Sequence, residues 1–259
     1  MPRRSLGWID SRCCYHVTQR CQERRFLLRF KRDRRQYLRR LREAAARYPV
    51  SVLNYMPTGN HVHLLVRCER PGHLSSAMQY ISGSMAQDYN RRKSRQGAFW
   101  AGRFRPTLIQ PGHHLSRCFF YISLNMVRAH AVTHPSEWVG GSHAELLGQV
   151  PAKDRIIDRQ ALLHCLECGT WESFGDWYAR TIAERCRAGR LEREPFWSEA
   201  AAVGDREWIE ELAGRFPSSW RRVEPVQSGE DSAGGVAEAG GTYMIRMSNR
   251  RREGLLASL

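Results

Sequence analysis

The sequence predicts an α+β protein, with a ferredoxin-like split βαβ domain (an antiparallel sheet with helices) followed by a helical C-terminal extension. Three observations predict it. Strand-like and helix-like segments alternate in the order strand, helix, strand, strand, helix, strand. Beyond about residue 150 only helical periodicity recurs. The net positive charge lies in the first part of the chain.

Each element has its own signal. Residues 12–20 are rich in strand formers and read as the first strand. Residues 31–48 repeat Tyr37, Leu38, Leu41, Ala45 and Tyr48 among many arginines, the pattern of an amphipathic helix stopped by Pro49. Residues 50–56 and 61–67 read as a hairpin around the turn Pro57-Thr58-Gly59-Asn60. Leu74, Met78, Ile81, Met85 and Tyr89 recur at helical spacing, so 73–92 is a second helix, and 91–97 a basic loop. Residues 104–110 form a fourth strand, ended by Pro111-Gly112, and 114–130 a third helix.

Further on, 156–168, 174–188 and 205–216 read as helices. Residues 228–241 are Gly, Ala, Ser and acid, a linker composition, and 244–259 read as a mobile tail with Arg246 and Arg250-Arg251-Arg252. The domain reading is therefore 1–148, a basic domain; 149–225, a helical extension; and 226–259, a flexible linker and basic tail.

The chain has 259 residues, long enough to bury a core, and its 42% hydrophobic content argues against a disordered protein. No apolar run approaches a membrane span, and no apolar signal core follows Met1-Pro2-Arg3-Arg4, so the expected location is cytoplasmic, with no membrane partner. Eight cysteines in such a compartment read as reduced, buried side chains. Cys165 and Cys168 have ligand spacing but lack the second pair that a zinc site needs.

Charge is distributed unevenly. Residues 1–148 carry 25 basic and 8 acidic side chains, a net +17, whereas 149–259 carry 16 and 18, a net −2. Only Lys31, Lys93 and Lys153 of the basic residues are lysine, and arginine forks suit phosphate oxygens and base edges. A basic domain predicts nucleic acid first and an anionic membrane surface second.

Two segments carry chemistry. In His61-Val62-His63-Leu64-Leu65-Val66, strand alternation sends Val62, Leu64 and Val66 to one face and both imidazoles to the other. Such a pair can hold one divalent cation, or bind phosphate if protonated. On the helix at 115–129, Arg117, Tyr121, Asn125 and Arg128 fall on one narrow face, with Leu115, Phe119, Ile122, Met126 and Ala129 opposite. Alone, that face would read as solvated polar surface. With the histidines it reads as a site: Tyr121 as nucleophile, Asn125 completing the metal shell of His61 and His63, and Arg117 and Arg128 stabilising phosphate charge. Oxygen and imidazole ligands suit Mg²⁺ or Mn²⁺. A third segment, Phe99-Trp100-Ala101-Gly102-Arg103-Phe104-Arg105, interleaves aromatics with arginines, so Trp100, Arg103 and Arg105 are candidate contacts to single-stranded DNA.

Four ordered motifs then resemble a known family. They are Tyr15-His16-Val17-Thr18-Gln19-Arg20; Met56-Pro57 leading to Asn60-His61-Val62-His63-Leu64-Leu65-Val66; Phe99-Trp100-Ala101-Gly102-Arg103-Phe104; and Tyr121-Ile122-Ser123-Leu124-Asn125-Met126-Val127-Arg128-Ala129. They resemble the HUH single-tyrosine transposases of the insertion-sequence-200 type, especially the REP-associated tyrosine transposases, over roughly residues 12–145. The resemblance implies a catalytic domain at 1–148 and a metal site at His61, His63 and Asn125. It implies that Tyr121 cuts single-stranded, hairpin-forming DNA through a 5′-phosphotyrosine, leaving a free 3′-OH. The family includes monomers and homodimers that exchange the Tyr helix, so both states stay open. Two departures stand out: Thr58-Gly59 lengthen the turn after Met56-Pro57, and Met126 stands where the family usually has Pro.

Three readings compete: a transposase-like nuclease, a domesticated protein that binds hairpin DNA without cutting it, and a metal-dependent phosphodiesterase that uses water while Tyr121 is structural.

Overall fold

A computed structural model describes residues 13–189, 191–215, 221–226 and 241–247. Its first six main elements follow the expected order: β1 (Cys13–Arg20), α1 (Lys31–Arg47), β2 (Val50–Pro57), β3 (His61–Cys68), α2 (Pro71–Arg92) and β4 (Arg105–Ile109). These strands pair in the order β4-β1-β3-β2, every neighbour antiparallel, which is the ferredoxin-like arrangement. Pro49 limits α1: Tyr48, which precedes it, is extended at φ −118° and ψ 145°. Pro71 opens α2, where its missing N–H costs no helical bond.

One face of the sheet carries α1 and α2. Leu41 and Ala44, with Leu74, Met78 and Ile81, close over Val52, Leu64 and Val66. The other face carries α3 (His113–Ser123), which begins after Gly112 in the left-handed region at φ 77°. Its apolar residues are buried on all sides, Leu115, Phe119, Phe120 and Ile122 each at 1% exposure or less.

The expected single helix 114–130 is two. α3 ends at Ser123, Leu124 caps it, and a short α4 (Asn125–Arg128) follows. Buried polar contacts mark the break. The Phe119 carbonyl accepts from the Ser123 hydroxyl at 3.1 Å and from Asn54 Nδ2 at 2.9 Å. Hydroxyl back-bonding of this kind bends helices. Asn54 follows a β-bulge in β2, and its amide is fully enclosed.

The extension is more than helical. After a short α5 (His143–Leu146) at the end of the first domain, it contributes α6 (Arg159–Cys165), α7 (Trp171–Ala188), α8 (Phe196–Glu199) and α9 (Arg206–Gly214). It also adds β5 (Ala202–Gly204), β6 (Arg221–Pro225) and β7 (Tyr243–Met247), which continue the sheet beyond β4 in the order β5-β7-β6. Residues 244–247 of the expected tail are thus a paired strand. Apart from Gly241, the expected linker 228–241 lies outside the described residues, as does the rest of the tail. The extension also seals α3: Phe174, Trp177 and Tyr178 of α7 meet Phe119 and Phe120 ring to ring. No helix among the described residues is long and apolar enough to cross a membrane.

Candidate active site

The register of the sheet sets the site. Cross-strand partners share a face, and β3 lies beside β1 with His61 opposite Arg20 and His63 opposite Thr18. Thr18 in turn faces Arg105 on β4. His16, two residues before Thr18, projects from the same face. One face therefore carries His16, His61, His63, Arg20 and Arg105. The rings of His61 and His63 are 4.8 Å apart, and those of His16 and His63 stack at 5.0 Å.

The lengthened turn holds His61. The Thr58 hydroxyl is central to it, donating to the His61 carbonyl at 2.9 Å and accepting from the backbone N–H of Asn60 and His61. His61 Nδ1 lies 2.7 Å from Asn60 Oδ1. An amide oxygen only accepts, so Nδ1 carries the proton and Nε2 the lone pair. Thr58 thus builds the turn that orients the first imidazole.

His63 is held differently. Its Nδ1 is 2.8 Å from His16 Nε2, and its Nε2 is 3.1 Å from Asn125 Nδ2. His16 Nδ1 lies 2.7 Å from the Trp197 carbonyl on α8. Burial holds His16 and His61 down at about 4, and the cations Arg128 and Arg20 push His61 further the same way. Burial and neighbouring charges hold His63 well below the usual range as well. These shifts favour the neutral form of all three imidazoles at pH 7, the form that suits metal ligation.

Tyr121 stands over this group in the same chain. Its ring centroid is 6.4 Å from that of His63, 6.2 Å from His16 and 6.1 Å from Trp197. Burial raises its phenol, and the Arg128 charge opposes that rise. The helix break places Arg128: its guanidinium donates to the Tyr121 carbonyl and covers the Tyr121 ring. Burial, with the charges of Arg24, Arg105 and Arg193, lowers Arg20, and Glu199, which is paired with Arg193, opposes that fall. This crowding of guanidiniums beside neutral histidines leaves a charge deficit that an anion would fill.

Two expected DNA contacts are placed otherwise. Trp100 is buried at 9% exposure, packs edge-on against Tyr37 and Phe99, and donates to the Ser82 carbonyl at 3.0 Å, so its ring is core rather than an open stacking platform. Arg117 is buried at 7% and donates to Glu194 at 2.8 Å and to Thr242 at 3.0 Å, a bridge between α3 and the extension rather than a phosphate clamp. Arg103 and Arg105 are exposed. Conversely, sequence reasoning missed His16, Arg20, Arg193 and Trp197. The period-two alternation of His16, Thr18 and Arg20 could have found the β1 pair; no local signal marks the other two.

The donor set fits a divalent cation. Among the described residues no group of three or more His, Cys, Asp or Glu is placed to hold a metal, and Cys165 and Cys168 are free thiols. The candidate set is instead His61 Nε2, His63 Nε2 and the Asn125 amide, whose oxygen and nitrogen exchange by a ring-like flip about one bond. Both imidazoles have Nδ1 tied by a hydrogen bond, as metal-bound histidines do.

A split βαβ sheet that presents a neutral histidine pair to a helix-borne tyrosine, among arginines, defines a class of site suited to a phosphodiester. Residues 10–123 match the family model described as Transposase IS200 like, so the segment from β1 through α3 carries the pattern of the IS200-like transposases. A solved structure described as the REP-associated tyrosine transposase bound to a REP hairpin aligns with 62% of this chain and 96% of its own, at 18% identity and a TM-score of 0.46. No curated protein matches the sequence.

Proposed function

We propose that the chain is a transposase-like nuclease and strand transferase that cuts single-stranded, hairpin-forming DNA through a 5′-phosphotyrosine on Tyr121. The observation that carries this reading is the approach of Tyr121 to His63, the neighbour of His61, on a face crowded with arginines. His61, His63 and Asn125 would hold Mg²⁺ or Mn²⁺, which when bound polarises a phosphodiester oxygen. Arg20, Arg105 and Arg193 draw the backbone of the strand to the histidines. Arg128 holds the phenol and favours its ionised form. The Tyr121 oxygen attacks phosphorus, the bond to the 3′ oxygen breaks, and that oxygen takes up a proton to leave a free 3′-OH. The energy of the broken bond stays in the phosphotyrosine, ready for rejoining.

Beside the histidine turn, residues 22–30 supply a surface for bases. Phe26 is 66% exposed, and its ring lies against Gly59, where a Cβ would meet it at 2.8 Å. Phe30 is 57% exposed, between Arg29 and Lys93. Glu23 and Arg24 both sit in the left-handed region, a strained conformation for side-chain-bearing residues.

The test is an adduct assay. Single-stranded hairpin DNA with Mg²⁺ or Mn²⁺ should give a covalent protein–DNA species that is lost in Tyr121→Phe and strongly reduced in His63→Ala. Cleavage persisting in Tyr121→Phe would assign the attack to water. Binding without cleavage by the native chain would make it a hairpin-DNA-binding protein.

A further inference from the structure

We propose that the C-terminal extension sets the protonation pattern of the histidine pair through His16: the Trp197 carbonyl fixes the tautomer of His16, and His16 fixes that of His63. Its value for metal binding rests on the reading of His63 as a ligand given above. The tautomers themselves do not.

A carbonyl oxygen only accepts, so the 2.7 Å contact from Trp197 requires the proton on His16 Nδ1. A neutral imidazole carries a single N–H, so His16 Nε2 is a lone pair. The 2.8 Å contact then requires His63 Nδ1 to donate, which leaves the His63 Nε2 lone pair facing Asn125 at 3.1 Å. His16 is fully enclosed and His63 is 5% exposed, so water offers neither ring an alternative partner. The two printed ring partners of enclosed His16 are a carbonyl and an imidazole, with no carboxylate bonded to the ring to favour an imidazolium.

The source of the carbonyl is firmly anchored. Trp197 is buried, and its indole N–H donates to Glu194 at 2.8 Å. Glu194 is ion-paired with Arg117 on α3, and the Ala200 carbonyl accepts from Thr107 on β4. The short α8 is thus tied to the helix that bears Tyr121 and to the strand beside β1. It lies 181 residues from His16 in the chain and outside the family-matched segment. His16 and the Trp197 carbonyl are positioning groups: they act on His63, not on DNA.

The test begins with the full-length, metal-free protein labelled with ¹⁵N-histidine. Long-range ¹H–¹⁵N correlations should assign His63 as the Nδ1–H tautomer, with Nε2 unprotonated, at pH 7.5. In His16→Ala the His63 signals should move toward a mixture of tautomers, and Mn²⁺ affinity by calorimetry should weaken roughly 10–100-fold, the usual effect of losing an outer-shell partner. His16→Gln, whose amide can accept from His63 and donate to Trp197, should restore part of both. An Nε2–H tautomer in the native chain overturns the proposal even if the variants fail to fold. So does an unchanged tautomer in folded His16→Ala. Because the tautomer is read without metal or DNA, an absent adduct in the native protein would count against the nuclease reading alone.

Discussion

The guanidinium of Arg128 sits 3.7 Å from the centroid of the Tyr121 ring and donates to the carbonyl of that same residue at 3.0 Å. One cation therefore grips both ends of the candidate nucleophile. Arg128 stands in α4, just past the interruption at Leu124, and its side chain reaches back to the last turn of α3. A cation over an aromatic face contributes about 0.5–2 kcal/mol, more as the pair is desolvated.

Arg128→Gln is expected to slow adduct formation and to move its pH profile upward. Burial already raises the Tyr121 phenol, and Arg128 is the larger of the two charges, with Arg193, that oppose the rise. Without it the phenolate forms at higher pH, so the rate at pH 7 should fall and the rise of rate with pH should shift upward. Rates of covalent capture between pH 6 and 10 check this. A uniformly lower rate with an unmoved profile would mean that Arg128 merely holds the ring in place.

Stability should fall as the solution is acidified through the histidine range. His16 and His61 titrate at about 4 in the folded chain, against 6.5 for an ordinary histidine, and His114 and His143 are likewise held at about 4 by burial. Between those values the unfolded chain binds more protons than the folded one. Their contribution to stability is complete above about pH 6.5 and is lost as pH drops toward 4. Thermal melts should show Tm declining steadily from pH 7 to pH 4.5, with a shallower decline in a His114→Asn variant. A Tm flat across that window would contradict the neutral, enclosed imidazoles.

The histidine pair was legible because strand geometry leaves no choice: side chains two apart share a face, and Val62, Leu64 and Val66 claim the other. Tyr121 and Asn125 were legible from helical spacing, although the helix between them is interrupted. What local pattern could not supply is contact across sequence distance. The break at Leu124 accompanies buried contacts from Asn54, some seventy residues upstream. Trp100 resembled a stacking platform among arginines, yet it is claimed by Tyr37. Arg117 stood on the right helical face, but Glu194 occupies it. The strand at Tyr243–Met247 is five residues long and follows a Gly-rich stretch, so its partner strands, not its composition, define it.

The arginines should separate by salt dependence. Affinity for DNA falls with salt in proportion to the phosphates neutralised, so Arg105→Gln and Arg20→Gln should each reduce the slope of log K against log salt by roughly one. Arg103→Gln, exposed just before β4, serves as a third probe. Arg117→Gln should leave the slope unchanged and instead lower thermal stability, by roughly 3 kcal/mol, because it strips a partner from a buried ion pair. Binding isotherms at several salt concentrations, paired with melts of the same variants, decide the assignment. A reduced slope in Arg117→Gln would return that residue to the DNA surface.

Phe26 offers a further distinction, between strand types. Its ring is propped on Gly59 beside the turn that orients His61, and Asn60 ties that turn to the Arg24 carbonyl at 3.0 Å. An exposed aromatic fixed in this way presents a face on which an unpaired base can stack, worth about 1–3 kcal/mol per base. Phe26→Ala should therefore weaken binding of single-stranded DNA by about 5- to 150-fold, while a fully paired duplex, whose bases are already stacked, should bind as before. Phe26→Trp should retain the single-strand preference, since the larger ring preserves the stacking face. Fluorescence anisotropy with matched single and double strands measures both. Equal loss on the two substrates would show that the ring props the turn for any bound backbone, and no loss on either would reduce it to a cover for Gly59.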